Sequence, residues 1–287
     1  MSSLEHQQVV KSNALVEASY RLTLREQRII LGCIAQVDRS QPITDEVQYV
    51  ISADLFSKLA NCNINGAYKE LKLAADTLFE RRLTLFEHPN TGKPRKITMR
   101  WVQSVEYLDG AGSVALRFSK DILPYLTELS RQFTRYALSD VAKVNSPHAV
   151  RLYELLMQWR ETGKRQVSID WMRERLGLEG KYPVFKDFRR YVVEHAVQQI
   201  NEHTPITVSW SPHKTGRKVT HLIFSFVFDK PAARLESAPL VSASLKREEM
   251  IKGIARSLIE QRAHPGETYE ACAMRLIDER RRVERIK

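Results

Sequence analysis

A chain of 287 residues, 43% hydrophobic and 28% charged, can bury ordinary cores and make two domains plus an appendage, which excludes disorder as a whole. Forty-five Lys and Arg against thirty-four acidic residues give a net charge of +11, which favours a polyanionic partner if those charges cluster on a face. Cys33, Cys62 and Cys272 are far apart and never form a C-x-x-C pair, so neither a disulfide framework nor a zinc ribbon is expected, and a reducing compartment fits. The opening MSSLEHQQVVKSNALVEASY lacks the apolar core of a signal peptide. No run approaches the roughly 18 apolar residues of a membrane span, so the expectation is a soluble, cytoplasmic protein.

In chain order, LTLREQRIILGCIAQV from Leu22 has helical apolar spacing, with Thr23 three residues before Glu26 as a capping box. Tyr49 to Ile51 reads as a short strand, Ser52 as the cap of the helix ADLFSKLAN, and Cys62 to Asn65 as the turn into a longer helix, GAYKELKLAADTLFERR. RLTLFE and KITMRWVQSVEY are strand-like and flank HPNTGKPRK, the basic tip of a hairpin. A strand VALRF and a helix from Lys120 to Leu129 complete the first half.

The second half repeats that order. PHAVRLYELLMQWR is an amphipathic helix, Gln166 to Ser168 a strand, IDWMRERLG a helix matching ADLFSKLAN, and VFKDFRRYVVEHAVQQIN a long helix. The strands ITVSW and VTHLIFSFVF then flank SPHKTGRK, a second hairpin with a basic tip, and Gly92 and Gly216 are placed at equivalent points. Helix-turn-helix followed by a β-hairpin is a winged helix, and its recurrence favours a tandem over a generic α+β pair. The expected architecture is α+β: a winged helix over 1–138, a second over 139–230, a linker over 231–244 and a helical basic tail over 245–287. That tail reads as two helical segments, about Lys246 to Gln261 and Thr268 to Ile286.

On the long helix of the second half, Phe185, Phe188, Val192, Ala196 and Ile200 form the core-facing stripe. Lys186, Arg189 and Arg190 project together from its first turns, the part that a recognition helix places in the major groove. Arg there can hold guanine O6 and N7 through two hydrogen bonds. The tip residues Lys214, Arg217 and Lys218 would track phosphates. The corresponding helix of the first half offers Asn65, Tyr68, Lys69 and Lys72, and its hairpin offers Lys93, Arg95 and Lys96. Residues 145–230 hold 14 basic and 9 acidic side chains, and residues 1–144 hold 19 and 16. Specificity is therefore expected mainly from the second domain, with the first holding backbone and mediating association.

The runs NALVEASYRLTLREQRIILGCIAQV, YKELKLAADTLFERRLTLF, SPHAVRLYELLMQWRETG and VFKDFRRYVVEHAVQQINEHTPITVSW resemble the Rep_3 family of plasmid replication initiators, over about residues 10 to 230. The resemblance implies binding to repeated origin sequences, the iterons, as a monomer, and repression of the chain's own gene as a dimer on an inverted repeat. It also implies recruitment of host initiator and helicase machinery, with chaperones as further partners, base contacts mainly from the second domain, and dimerisation through the first. Some relatives carry an N-terminal heptad series. Leu15, Leu22 and Ile29 fit that spacing but Gln36 breaks it, so core packing is expected of them.

No enzymatic motif is evident, and no cofactor or metal is expected. The eight histidines include no His-x-His pair for a nicking enzyme, and no acidic-x-acidic triplet suggests a two-metal site. Gly92-Lys93, Gly163-Lys164 and Gly180-Lys181 are not followed by the Ser or Thr of a P-loop. The alternative reading is a transcriptional regulator built on the same tandem fold without a replication role.

Overall fold

The computed structural model describes residues 4–39, 43–127, 129, 133–228, 250–251, 254–255 and 274. The chain enters through β1 (Gln8–Ser12), α1 (Asn13–Val16) and β2 (Ser19–Tyr20). Helix α2 (Leu24–Ile34) starts on a reciprocal capping box. Thr23 Oγ1 accepts the Glu26 N–H at 3.3 Å, and the Glu26 carboxylate accepts the Thr23 N–H at 2.6 Å. Leu15, Leu22 and Ile29 all lie buried in one core, so their spacing serves packing.

Strand β3 (Tyr49–Ser52) runs directly into α3 (Ala53–Ala60), where Ser52 Oγ accepts the Leu55 N–H and Asn61 ends the helix in the left-handed region. Helix α4 (Ile64–Phe79) begins at Ile64 rather than Gly66, because the Asn63 side chain accepts the Asn65 N–H and caps it there.

The segment KITMRWVQSVEY, expected as one strand, is two strands in two sheets. Strand β4 (Arg82–Glu87) lies between β2 and β5 (Pro94–Arg100), whereas β6 (Val102–Leu108) pairs with β7 (Ser113–Phe118), which pairs with β3. The break falls at Trp101, fully buried and edge-to-face on the Tyr20 ring at 4.9 Å. Burying that indole carries the chain from one sheet to the other. Downstream, the helix expected from Lys120 to Leu129 is a 3-10 turn over Lys120–Tyr125 that contains Pro124, a residue that cannot donate a helical hydrogen bond. Strand β8 (Phe133–Ala137) pairs antiparallel with β1, and α5 (Leu138–Ala142) follows.

The second winged helix opens with α6 (Pro147–Met157), capped by Ser146 and started by Pro147. Then come β9 (Lys164–Ser168) and α7 (Ile169–Arg175), capped by Ser168. The next helix is continuous but not uniform: α8 (Phe185–Phe188), a π-helical turn over Arg189–Glu194, and α9 (His195–His203). Strands β10 (Ile206–Thr215) and β11 (Lys218–Phe228) form a long hairpin, completed by β9 in the order β10-β11-β9.

Helix α6 has no solvent face from Ala149 to Met157 and carries two charged residues inside, Arg151 and Glu154. Lys11 of β1, itself buried, forms an ion pair with Glu154, and Tyr136 of β8 donates to the same carboxylate at 2.5 Å. Arg151 donates to the Tyr20 hydroxyl at 2.5 Å, to the Ala18 carbonyl at 2.8 Å and to the Arg175 carbonyl at 3.2 Å. Burial pushes the Glu154 carboxyl up, but Lys11 and Arg151 beside it more than offset that and hold it below the usual carboxylate range. Arg165 of β9 reaches Glu17 at 2.7 Å, and the Arg175 guanidinium stacks on Phe86 at 3.5 Å. Both halves thus meet on α6 within one compact unit, Met1–Leu235.

A second unit covers Glu236–Lys287. Where a helix was expected from Lys246, Met250–Ile251 pairs antiparallel with Ile254–Ala255. Ile251 and Ile254 are β-branched, which favours strand over helix. Met274 is helical, while the linker and the rest of the tail lie outside the described residues. Among the described residues no helix is long and apolar enough to cross a membrane.

Candidate nucleic-acid interface

In the second winged helix, α7 ends at Arg175 with Leu176 as its C-cap, and Gly177 turns the chain with a φ of 62°. A Cβ at Gly177 would stand 3.1 Å from the Tyr20 carbonyl and from Arg21 Cβ, so this turn is a close approach between the halves. Arg173 then donates to the carbonyls of Tyr182 and Pro183, at 2.7 and 3.3 Å, which fixes the approach to α8. Phe188, Val192, Val193, Ala196, Val197 and Ile200 face the core.

On the other side, Lys186, Arg189 and Arg190 are exposed together. The π-helical turn modifies their expected spacing. Its wider winding brings residues five apart closer to one line, and Arg189 Nε meets Glu194 Oε1 at 3.2 Å. Arg190 lies over the Tyr191 ring at 5.4 Å. Val184 and Tyr191, 57% and 52% exposed, add apolar surface beside these cations. Sequence periodicity passed over them, because it separates core from solvent and does not single out apolar residues facing out.

The hairpin of the same domain extends well past its core. Lys214, Arg217 and Lys218 are exposed around a two-residue loop, Gly216-Arg217, in which Gly216 takes the positive φ such a loop demands.

The first winged helix is arranged differently. Asn65 and Lys69 are exposed on α4, but Tyr68 donates to Asp109 Oδ1 at 2.6 Å and Lys72 pairs with the same oxygen at 2.9 Å. Lys72 also sits over the rings of Tyr68 and Tyr107, at 5.5 and 5.1 Å, and Tyr107 hydrogen-bonds Asp76. The Tyr68 hydroxyl and the Lys72 ammonium hold the Asp109 carboxyl below its ordinary range. Asp109 lies in the 3-10 turn Asp109–Ala111 between β6 and β7.

Connectivity makes that placement informative. The sheet β3-β7-β6 corresponds strand for strand to β9-β11-β10, so β6–β7 is the wing of the first domain and its tip is acidic. The basic hairpin β4–β5, with Lys93, Arg95 and Lys96 all exposed, is an additional hairpin in a separate sheet with β2. Gly92 and Gly216 are therefore not equivalent. Asp109 was missed because the order of strands along the chain does not reveal which hairpin joins the strand that precedes the helix-turn-helix.

Residues 8–157 match the family described as initiator replication protein, WH1, and residues 168–226 match initiator Rep protein, WH2. The chain belongs to this initiator family. The first match alone covers more than half of the sequence and ends with α6, the helix both halves share. Among curated proteins, the initiator is 26% identical to the PI protein of Escherichia coli, over 76% of its own length and 82% of that protein. It is also 26% identical to a replication initiation protein of Escherichia coli, with coverages of 77% and 70%. The solved structure of a Pi initiator protein in complex with iteron DNA shares the fold, with a TM-score of 0.66 and 23% identity, covering 79% of the initiator and 99% of that chain.

Proposed function

We propose that this initiator binds iteron repeats at a plasmid origin as a monomer and represses its own gene as a dimer on an inverted repeat. The observation that carries the reading is the contrast between its two wings. The second domain presents Lys186, Arg189 and Arg190 beside a basic wing tip, whereas the first holds Lys72 and Tyr68 on its own Asp109. Base reading falls to the second domain, where Arg189 and Arg190 suit guanine and Val184 suits a thymine methyl. Lys214, Arg217 and Lys218 hold phosphates at its wing, and Lys93, Arg95 and Lys96 hold phosphates from the additional hairpin. Asn65 and Lys69 face the duplex from α4. The initiator works in the cytoplasm, without catalysis of its own, by opening the origin and recruiting host helicase machinery.

The test is maintenance of an origin-dependent replicon by the wild type and by the triple variant Lys186→Ala, Arg189→Ala, Arg190→Ala, together with binding to the iterons in vitro. Loss of both in a folded variant supports the reading, and normal binding and maintenance overturn it. Direct repeats of about 20 base pairs, two helical turns, beside an AT-rich segment distinguish an initiator from a regulator on the same fold.

A further inference from the structure

The wing of the second domain carries a pair of histidines to which the DNA reading gives no role. His213 of β10 and His221 of β11 are cross-strand partners, and their ring centroids are 5.8 Å apart. The buried residues of β11 are Leu222, Phe224 and Phe226, so His221 lies on the opposite, outward face of the hairpin, with His213 directly across from it.

The strand is irregular at this point. His213 is opposite His221 but Lys214 is opposite Val219, which leaves Thr220 as the extra residue of a β-bulge. Thr220 Oγ1 lies 3.0 Å from His221 Nδ1 and 2.9 Å from Thr215 Oγ1. His221 Nδ1–H can donate to Thr220, whose hydroxyl then donates to Thr215, and in that tautomer the lone pair is on Nε2, the nitrogen at the far side of the ring from the backbone.

We propose that His213 and His221 form a two-imidazole site for a divalent transition-metal ion, Zn2+, Ni2+ or Cu2+. Metal–nitrogen bonds of about 2.1 Å at a tetrahedral angle put two ligating imidazole centroids roughly 5 Å apart, close to the 5.8 Å between these rings. Among the described residues no group of three or more His, Cys, Asp and Glu side chains could hold a metal, so water completes the coordination shell. Lys214, Arg217 and Lys218 surround the tip with positive charge, which opposes any dication. Only metals that bond strongly to imidazole overcome that repulsion, which excludes Mg2+ and Ca2+, whose preferred ligands are oxygens. The site stands on the hairpin geometry and does not depend on the function proposed above.

The experiment uses the full chain, stripped of metal with a chelator, titrated with NiCl2 and ZnCl2 by calorimetry without DNA. Side-chain NMR of the histidines follows Ni2+ broadening. The wild type binds one equivalent more tightly than the double variant His213→Gln, His221→Gln, and broadening begins at these two rings. Millimolar Mg2+ does not compete. Thr220→Val, which keeps both ligands, weakens that site roughly tenfold, the size of effect expected for loss of a partner that orients a metal ligand. Equal stoichiometry and affinity in wild type and double variant, or first broadening at other histidines, overturns the proposal. The residues are on the outward face of a hairpin, and unchanged circular dichroism and melting of each variant confirm that the fold is intact.

Discussion

Asp109 offers Tyr68 and Lys72 on α4 an anionic oxygen, as a DNA phosphate would under the proposed function. Its carboxylate satisfies the Tyr68 hydroxyl and the Lys72 ammonium at once, so a DNA backbone approaching this helix has to displace it. Asp109→Asn should therefore raise affinity for random-sequence duplex and steepen the dependence of log Kd on log salt by close to one unit, as expected for one more neutralised phosphate. An unchanged salt slope would show that Lys72 does not reach DNA. Glu194 plays a smaller version of this part for Arg189 in the second domain. Under the proposed function Arg190, which lies over the Tyr191 ring, is the candidate base reader, and Arg190→Ala should cost about 1–3 kcal/mol on the cognate site and relax preference at one base pair. Lys214→Ala should instead weaken all sequences alike, which parallel titrations of cognate and scrambled duplex separate.

Helix caps and turns were the elements most legible in the sequence, since they are local. Thr23 with Glu26, and Ser52, cap where their residue types and positions predict, and Ser146 and Ser168, not read as caps from the sequence, do the same. What stayed hidden depended on distant partners. Trp101 divides a strand because Tyr20 waits to receive it, and the acidic wing is recognisable only through the pairing of β7 with β3. The exposure of Lys186, Arg189 and Arg190 followed from the apolar stripe, but the π-helical turn beneath them left no period to detect. Two tests belong at this scale. Gly177→Ala forces a Cβ toward the Tyr20 carbonyl in a left-handed backbone, and equilibrium denaturation should show a loss of about 1–3 kcal/mol. At the start of α6, burial, then Arg21, His195, Arg151 and Lys181, push His148 down to about 4. The unfolded chain takes up this proton near pH 6.5 and the folded chain only near 4, so stability falls as pH drops through that window and is level on either side. Melting temperatures of His148→Gln should decline less than those of the wild type between pH 7 and 4.5.

Across the whole molecule, the ionic cluster in α6 couples the two winged helices. Lys11, Tyr20 and Tyr136 come from the first, and Arg151 and Glu154 of α6, with the Arg175 carbonyl, from the second. Removing Lys11 takes away the direct ion pair of the buried Glu154 and leaves it Arg151 at 3.5 Å and the Tyr136 hydroxyl. Lys11→Met should accordingly destabilise the unit by about 3–5 kcal/mol, more than the same change at an exposed lysine such as Lys143, as chemical denaturation would reveal. Because α6 is enclosed on every side, the two surfaces proposed to face DNA are held to one scaffold, and on that reading the initiator should measure helical phase as well as base identity. Five base pairs inserted between the stretches contacted by the two domains rotate one contact surface about half a turn away from its reader, whereas ten restore its direction but not its distance. Neither spacing should support simultaneous engagement, and footprints on the five-pair insertion should shrink to the half read by α8 and its wing.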